Sequence, residues 1–382
     1  MASRNNSCNF WALASYYLKV YKKLLSKQKK SIDKNFFYIT LILTVLGLIA
    51  VADASAPQAL NVFSDKFYFL KQQAGWAFLG IIAMLVSSQI NYKLWQKLAI
   101  PAFGLSIMFL IAVLIPGVGS KFLGARRWIY IGSISIQPAE FLKLSLAIYF
   151  AKVAEKEMQA LSYFIPLLIV GILIMLQPDL GTTLVVLLIG MSQIFVSGIN
   201  FLHFLGASLI GILGSAVLIL TSSYRKARLL TFLQQSQDPL GRDYHIRQIL
   251  LALGSGGIFG VGLGQSRQKF LFLPEAATDS IFAVIAEEIG FFGAIIVIFL
   301  FLFYILNAFK IAKNAPDIFS QVLSVGIVAW VSSQVIFNIG SNVALVPLTG
   351  IPLPFFSYGG SALTMLLFAN GILLNISKYE KK

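Results

Sequence analysis

The sequence predicts an all-α integral membrane protein with ten transmembrane helices and with both termini in the cytoplasm. Two observations predict this fold class. Of the 382 residues, 58% are apolar and only 12% are charged, with a mean hydropathy of +0.81, whereas soluble domains carry roughly 25% charged residues. The apolar residues also gather into segments close to the roughly 20 residues that a helix needs to cross a bilayer. This composition excludes a soluble enzyme with a single anchor and a disordered or fibrous chain.

Ten apolar segments are the candidate transmembrane helices. The fifth and sixth are separated only by Gln177-Pro178-Asp179, where proline and a charge favour a tight turn. The seventh and eighth are separated by a long polar segment, 222–280, which is rich in glycine and arginine. The ten segments are 36–53, 74–90, 98–115, 134–152, 161–177, 180–198, 201–221, 281–308, 319–340 and 355–376.

Lysines near the N-terminus predict the orientation of the chain. Seven lysines lie between Lys19 and Lys34, and the positive-inside rule places them in the cytoplasm. Ten crossings then place the C-terminus in the cytoplasm and the 116–133 and 222–280 loops outside. The predicted organisation is a basic cytoplasmic tail at 1–35, a membrane domain at 36–376 and a cytoplasmic tail at 377–382. Apolar residues at helical spacing in the first tail indicate either a short helix on the membrane surface or a disordered basic tail.

The charged residues are unbalanced, with 30 Lys and Arg against 15 Asp and Glu and a net charge of +15. Such a surplus would suggest nucleic acid in a soluble protein, but in a membrane protein it must first be sorted by topology. Only Arg4 is predicted inside. The planar arginine side chain suits phosphate, so the outer arginines indicate a site for a phosphorylated ligand, or else they reach lipid headgroups. They are Arg126, Arg127, Arg225, Arg228, Arg242, Arg247 and Arg267.

Ionisable residues within the predicted spans are costly and therefore indicate function. Glu140 and Lys143 are three residues apart, which places them on one helix face where they can pair. Asp179 lies at the outer end of the fifth and sixth spans. One interpretation is that Glu140 and Lys143 form a buried ion pair, with Asp179 beside it, that fixes helix packing. The other is that the three residues form part of a catalytic cavity.

Asp279 follows Thr278 where a polar loop becomes the eighth apolar segment. A carboxylate is favoured at the start of a helix, so Asp279 or Thr278 could simply cap it. Because Arg267, Lys269 and Glu275 precede Asp279 closely, a charged pocket is the alternative.

Eight motifs in order along residues 36–376 resemble the SEDS family of bacterial cell-wall polymerases, the FtsW and RodA proteins. Each motif is weak alone, but their order along ten predicted spans is specific. The match at 273–279 reads Leu-Pro-Glu-Ala-Ala-Thr-Asp, and the match at 124–129 reads Gly-Ala-Arg-Arg-Trp-Ile. The eight matches are 124–129, 137–143, 177–182, 238–241 with Tyr244-His245, 254–257, 273–279, 338–340 and 347–361.

The resemblance implies a ten-helix glycosyltransferase that polymerises lipid II on the outer face of the bacterial cytoplasmic membrane. It also implies work with a class B penicillin-binding transpeptidase and other division or elongation proteins, and no nucleic acid. The family's essential acidic residue falls on Asp279 and its loop tryptophan on Trp128. Two departures are Ala277, where the family usually has His, and Ala362 after Ser361, where it usually has a second Ser. The 266–276 stretch looks more like the division branch, FtsW, than the elongation branch, RodA.

The mechanism implied by this resemblance needs a base near a sugar hydroxyl and positive charge near a departing pyrophosphate. Asp279 is the candidate base, or it orients the acceptor or holds a divalent cation such as Mg²⁺ or Mn²⁺. Trp128 stacks on a sugar or anchors its loop at the interface, and Glu275 joins the charged pocket. A lipid-linked precursor flippase and a non-catalytic scaffold are the rival functions. The candidate pyrophosphate ligands are Arg126, Arg127, Arg225, Arg267 and Lys269.

Overall fold

The structure is a computed structural model that describes residues 31–122, 125–132, 134–156, 159–221, 244–270 and 272–380. Within these residues the chain is mostly helical. The predicted tail helix before residue 31 and the candidate ligand Arg225 lie outside the described residues. The helices are α1 (Lys34–Ala54), α2 (Ala56–Phe63), α3 (Tyr68–Gln89), α4 (Lys93–Ala112), α5 (Pro138–Glu155), α6 (Leu161–Leu176), α7 (Leu180–Val196), α8 (Phe201–Thr221), α9 (Tyr244–Gly256), α10 (Ile281–Lys313), α11 (Ile318–Asn342) and α12 (Gly360–Ser377).

Each of the ten predicted segments overlaps one helix, α1, α3 to α8, or α10 to α12. Among the described residues, six of these helices are long and apolar enough to cross a membrane, namely α1, α3, α4, α10, α11 and α12. Three more, α6, α7 and α8, are shorter apolar helices. The architecture is therefore that of a multi-pass membrane protein, and the number of ten crossings stays a prediction.

A small β-sheet interrupts the helical architecture in the predicted 116–133 loop and the first residues of the predicted fourth span. The expectation of an all-α chain is wrong here, because isoleucines at 129, 131, 134 and 136 favour extended backbone. The fourth predicted span also begins later than expected, because Pro138 occupies the first turn of α5, where its missing N–H costs nothing. The strands form an antiparallel sheet in the order β1 (Gly119–Phe122), β2 (Ala125–Ile131) and β3 (Ile134–Ile136).

Several chain connections meet at one end of the bundle. The Asp33 backbone N–H donates to Ser377 Oγ at 3.0 Å. The Tyr92 hydroxyl donates to the Asp317 carboxylate at 2.6 Å, and the Tyr92 N–H donates to the Asn375 side chain at 2.9 Å. Burial and the Asp317 carboxylate raise the pKa of Tyr92 well above its ordinary range, so it stays a neutral donor. The starts of α1, α4 and α11 and the end of α12 therefore lie together.

The 257–262 segment packs against a kink in α10. Gly290 has φ 69° and ψ −171° within that helix, and a Cβ atom there would lie 2.2 Å from the backbone nitrogen of Gly260. The freed carbonyls of Glu287 and Glu288 accept hydrogen bonds of 3.0 Å from the N–H groups of Val261 and Gly262. Glycine is needed at 290 because the positive φ and the close backbone approach both exclude a side chain.

α11 lies at the centre of the described bundle, where it packs against α5, α7 and α10, while α12 packs along α3. Trp330, Leu323 and Leu367 are among the large side chains buried at these contacts. Many large apolar side chains of α4, α6, α8 and α10 are exposed instead, as expected for helices that face lipid. This arrangement leaves a cavity with several charged side chains in its walls between α5, α7, α11 and the segments that precede α10 and α12.

Candidate active site

A cavity of about 770 Å³ lies next to the sheet and the start of α10. Its walls come from β2, α5, α7, α9, α11, the 274–279 segment and the 346–359 segment. The cavity brings together seven of the eleven site residues predicted from the sequence, although the chain separates some of them by about 150 positions. These seven are Arg127, Trp128, Glu140, Lys143, Asp179, Glu275 and Asp279.

The backbone around Asp279 is fixed from α11. Asn338 and Asn342, one turn apart on that helix, both donate from their side-chain amides to the Asp279 carbonyl oxygen, at 2.9 and 3.0 Å. Asn338 also donates to the Ile351 carbonyl at 2.8 Å, so it joins the two segments that line the cavity. Buried amide bonds of this kind satisfy carbonyls outside regular structure, and they hold Asp279 at the cavity wall.

The 346–359 segment holds the residues just before Asp279. The Ser357 hydroxyl donates to the Thr278 carbonyl at 2.6 Å, and the Tyr358 N–H donates to the Ala277 carbonyl at 2.8 Å. α10 begins at Ile281, with Ser280 at its N-cap position and no side-chain capping bond. Ser280 rather than Asp279 therefore occupies the N-cap position, and Asp279 lines the cavity.

Gly350 faces the Asp279 carboxylate closely. It has a φ of +69°, and a Cβ atom built there would lie 3.3 Å from Asp279 Oδ2. Both the left-handed backbone and the short distance favour glycine. Gly350, in the 346–359 segment, therefore also restricts where the Asp279 carboxylate can lie.

Glu140 and Lys143 form the buried ion pair that their spacing predicts. The Lys143 ammonium lies 2.8 Å from the Glu140 carboxylate, and the two residues are 1% and 4% exposed. The ammonium also lies 4.8 Å from the centre of the Trp330 ring, a cation–π distance. A buried charge pair is retained only with such compensation, and here it adds a cation and an acid to the cavity wall.

Arg127 and Asp179 form a second charged pair at the cavity. The Arg127 Nε atom lies 3.5 Å from the Asp179 carboxylate and donates to the Gln177 carbonyl at 3.2 Å, while its terminal nitrogen donates to the Pro178 carbonyl. Asp179 also caps α7 by accepting from the Thr182 N–H at 3.0 Å. The planar guanidinium is therefore held by three oxygen partners and still lines the cavity.

His245 lines the cavity as well, although the sequence interpretation did not assign it a role. Its Nε2 atom lies 2.8 Å from the Ser280 hydroxyl oxygen, directly after Asp279. The only sequence signal was its presence in the Tyr244-His245 part of a motif match. Nothing local could have shown that α9 reaches the start of α10.

Comparison with known proteins now identifies the family. A family model described as cell cycle protein, for FtsW, RodA and SpoVE, matches residues 33–382. The chain belongs to the FtsW/RodA/SpoVE family. This confirms the resemblance to the SEDS proteins that the eight motifs indicated.

A sporulation protein and an FtsW protein are each similar to this chain over nearly their whole length. Stage V sporulation protein E of Bacillus subtilis is 42% identical over 94% of this chain and 100% of the relative. A probable peptidoglycan glycosyltransferase FtsW of Trichlorobacter lovleyi is 39% identical over 90% of this chain and 93% of the relative. The chain is therefore matched across its membrane domain and not through a single motif.

Solved structures of the FtsW/RodA/SpoVE family share the fold. A chain from a study of polymerization and crosslinking by a peptidoglycan synthase complex superposes with a TM-score of 0.74 at 28% identity, covering 91% of this chain and 97% of that one. The rod shape determining protein RodA of Thermus thermophilus superposes with a TM-score of 0.68 at 27% identity, covering 92% and 98%. The described helices therefore have a RodA-like arrangement.

Three predicted ligands lie outside the cavity of this family member. Arg126 turns to the other side of β2 and donates to the Leu114 carbonyl at 3.2 Å. Arg267 is exposed and does not line the cavity. Lys269 is buried elsewhere, with its ammonium 2.7 Å from both Asp53 and Glu288. The proposed site therefore excludes these three residues.

The contacts of the 264–269 loop explain why Lys269 lies outside the cavity although it is near Asp279 in sequence. Glu287 accepts from the Ser266 hydroxyl and from the Arg267 N–H at 3.1 Å. Glu288 accepts from the N–H groups of Gly264 and Ser266 at 3.0 and 3.1 Å. Both carboxylates of α10 bind the 264–269 loop, which draws Lys269 into a buried structural ion pair. The short distance along the chain from Lys269 to Asp279 therefore does not place Lys269 in the cavity.

The cavity offers little to a protein-bound cation. Within the described residues, no three His, Cys, Asp or Glu side chains come together as a metal site. Two of its four acids are paired with cations, Glu140 with Lys143 and Asp179 with Arg127. These residues therefore do not fit the divalent cation considered from the sequence.

Proposed function

We propose that this protein is a peptidoglycan glycosyltransferase that polymerises lipid II on the outer face of the bacterial cytoplasmic membrane. The observation that carries the proposal is the placement of Asp279 in one cavity with two cations, Arg127 and Lys143. The names of the FtsW relatives and the family fold support the same activity. The cavity supplies what the chemistry requires, a carboxylate for a hydroxyl proton and positive charge for a pyrophosphate.

The reaction joins two lipid-linked sugars with Asp279 as the general base. A sugar 4-hydroxyl oxygen attacks the anomeric carbon of the donor, and its proton passes to the Asp279 carboxylate. The bond from that carbon to the pyrophosphate oxygen breaks, and the electron pair leaves with the pyrophosphate. Arg127 and Lys143 stabilise the negative charge of that leaving group. Trp128, which also lines the cavity, stacks on a sugar ring.

The proposed topology keeps ten crossings with both termini in the cytoplasm. Ten helices overlap the ten predicted segments, and the connections that carry Asp33, Tyr92, Asp317 and Ser377 lie together. That grouping is what alternate crossings would produce. The sheet, the cavity and Asp279 then lie toward the outer face, where lipid II would be used.

The proposed partner is a class B penicillin-binding transpeptidase, alongside other membrane proteins of the same process. A structural relative was solved in a study of polymerization and crosslinking by one synthase complex, which supports a crosslinking partner. We propose cell division as the process, because several relatives named FtsW are 35–39% identical and the RodA structure is 27% identical. The 42% identity to a sporulation protein makes spore formation the process to test against it.

The proposed function is tested by purifying the protein and supplying lipid II, with and without its cognate transpeptidase. We expect glycan strands that lengthen with time and that a muramidase digests. A flippase would move lipid II across a vesicle membrane without lengthening it, and a scaffold would do neither. Transport without polymer, in the presence of the transpeptidase, would overturn the proposal.

Arg127→Ala should lower polymerisation by about 10- to 100-fold, because a charge-assisted bond to phosphate is worth about 1.5–3 kcal/mol. The matched control is Arg267→Ala, which removes an exposed arginine outside the cavity. Initial rates at varied lipid II concentration measure the effect. Equal losses in the two variants would contradict a specific role for Arg127.

Gly350→Ala should displace the Asp279 carboxylate and lower polymerisation by about tenfold or more. The added methyl group would lie 3.3 Å from Asp279 Oδ2 in a backbone conformation with φ +69°, and both effects oppose the present geometry. Gly75→Ala is the control, since a Cβ atom at that helical position meets nothing within 4 Å. Full activity of Gly350→Ala would show that the carboxylate tolerates movement.

A further inference from the structure

His245 lies in helix α9 and contacts Ser280, the residue that follows Asp279. It is the second residue of α9, which packs against α10. Three residues on one side of α9, Ile246, Ile249 and Ala252, are at most 4% exposed. The imidazole of His245 therefore has a defined position at the cavity wall and is not on a free loop.

The hydrogen bonds of Ser280 determine which imidazole nitrogen carries a proton. The Ser280 hydroxyl donates to the Pro274 carbonyl at 3.1 Å, and a carbonyl can only accept. A hydroxyl has one hydrogen, so the 2.8 Å contact with His245 requires the Nε2–H group of the imidazole to donate. This chain of bonds joins α9, the first residue before α10 and the 273–279 segment.

Asp279 lies between two sets of hydrogen bonds, those that Ser280 makes with His245 and Pro274 and those that the side-chain amides of α11 donate. Its carbonyl is held by Asn338 and Asn342, and the next residue, Ser280, is fully buried and held by His245. The Asp279 carbonyl and the Ser280 side chain, which these bonds hold, belong to adjacent residues joined by one peptide bond. Any shift of Ser280 is therefore transmitted to the Asp279 backbone and from there to the carboxylate, whose Oδ2 atom lies so close to Gly350 that a Cβ atom at that position would be 3.3 Å away.

We propose, building on the proposed glycosyl transfer, that His245 is a positioning residue that holds Asp279 through Ser280. Its contribution is the donated Nε2–H bond. A glutamine side chain carries an amide donor of similar reach, whereas leucine fills the space without a donor. His245→Gln should consequently keep the function that His245→Leu loses.

The first test is steady-state polymerisation of lipid II. His245→Leu should lower kcat about tenfold, the size of one lost hydrogen bond, with KM little changed. His245→Gln should recover most of that loss. Arg247→Ala is the control on the same helix, since Arg247 is exposed and does not line the cavity. A kcat unchanged in His245→Leu, or equally low in His245→Gln, would overturn the proposal.

The second test does not depend on activity. Hydrogen–deuterium exchange of peptides covering 273–280 should quicken in His245→Leu and stay as in the unaltered protein in His245→Gln. If the unaltered protein makes no polymer, the proposed function fails while this exchange result still decides the role of His245. Should His245→Leu fail to fold, His245→Ala removes the same donor with a smaller side chain and should quicken exchange in the same peptides. Unchanged exchange in the folded variants would overturn the positioning role.

Discussion

Asp279→Asn is expected to lower lipid II polymerisation by about 10² to 10⁴, the range that general base catalysis contributes. The amide has nearly the same size as the carboxylate but cannot accept the hydroxyl proton. The bonds from Asn338, Asn342 and Ser357 reach backbone carbonyls of Asp279 and Thr278, so the substitution leaves them in place. The loss should therefore appear in kcat, measured by the glycan formed per purified protein.

The control for this substitution is Asp65→Asn. Asp65 is an acid outside the cavity, and its ordinary partner is the exposed Lys71 at 2.7 Å. Thermal unfolding in detergent should be the same for both variants and for the unaltered protein. Near-normal polymer from well-folded Asp279→Asn would remove Asp279 from the chemistry.

Lys269→Met is expected to destabilise the protein by about 3–5 kcal/mol, as when one partner of a buried ion pair is removed. Lys269 is 5% exposed, and its ammonium is the shared partner of Asp53 and Glu288. Methionine would fill much of the space but leave two nearby carboxylates without their cation. Unfolding followed by tryptophan fluorescence or by loss of the monomer peak on heating measures the change.

Lys71→Met is the matched control for the Lys269 substitution. It also removes the lysine of an ion pair, but that side chain is 70% exposed, and exposed pairs contribute little. Adding Asp53→Asn to Lys269→Met should restore part of the lost stability, because one of the two carboxylates left without a cation is then removed while Glu288 keeps its bonds to the Gly264 and Ser266 N–H groups. A Lys269→Met protein as stable as Lys71→Met would contradict a structural role for the cluster.

Local patterns predicted the helices well because the forces that decide them act over neighbouring residues. Apolar segments near the length of a bilayer crossing each became a helix, and the spacing of Glu140 and Lys143 was enough to predict their pair. The sheet at 119–136 was missed because a hydropathy window counts isoleucine equally in a strand and in a helix. Its β-branched residues were the available signal.

Which charged residues line the cavity could not be predicted from their distance to Asp279 along the chain. Arg267 and Lys269 stand about ten residues before Asp279 and lie outside the cavity, while Arg127 stands about 150 residues before it and lies inside. The reason is the 264–269 loop, which binds Glu287 and Glu288 with its own N–H groups and turns Lys269 toward Asp53. An ion pair between Lys269 and acids on two other segments, Asp53 and Glu288, has no signature in a linear pattern.

By itself, the sequence determined a helical membrane protein of a known family and predicted Asp279 as its central acid, because span length, residue spacing and ordered motifs are all local properties. Only the tertiary structure decided which cations accompany that acid, namely Arg127 and Lys143, and that His245 reaches it through Ser280. Those partners are set by how the helices pack. Each buried charge or polar group must find a counterpart across the bundle, wherever the chain happens to bring one.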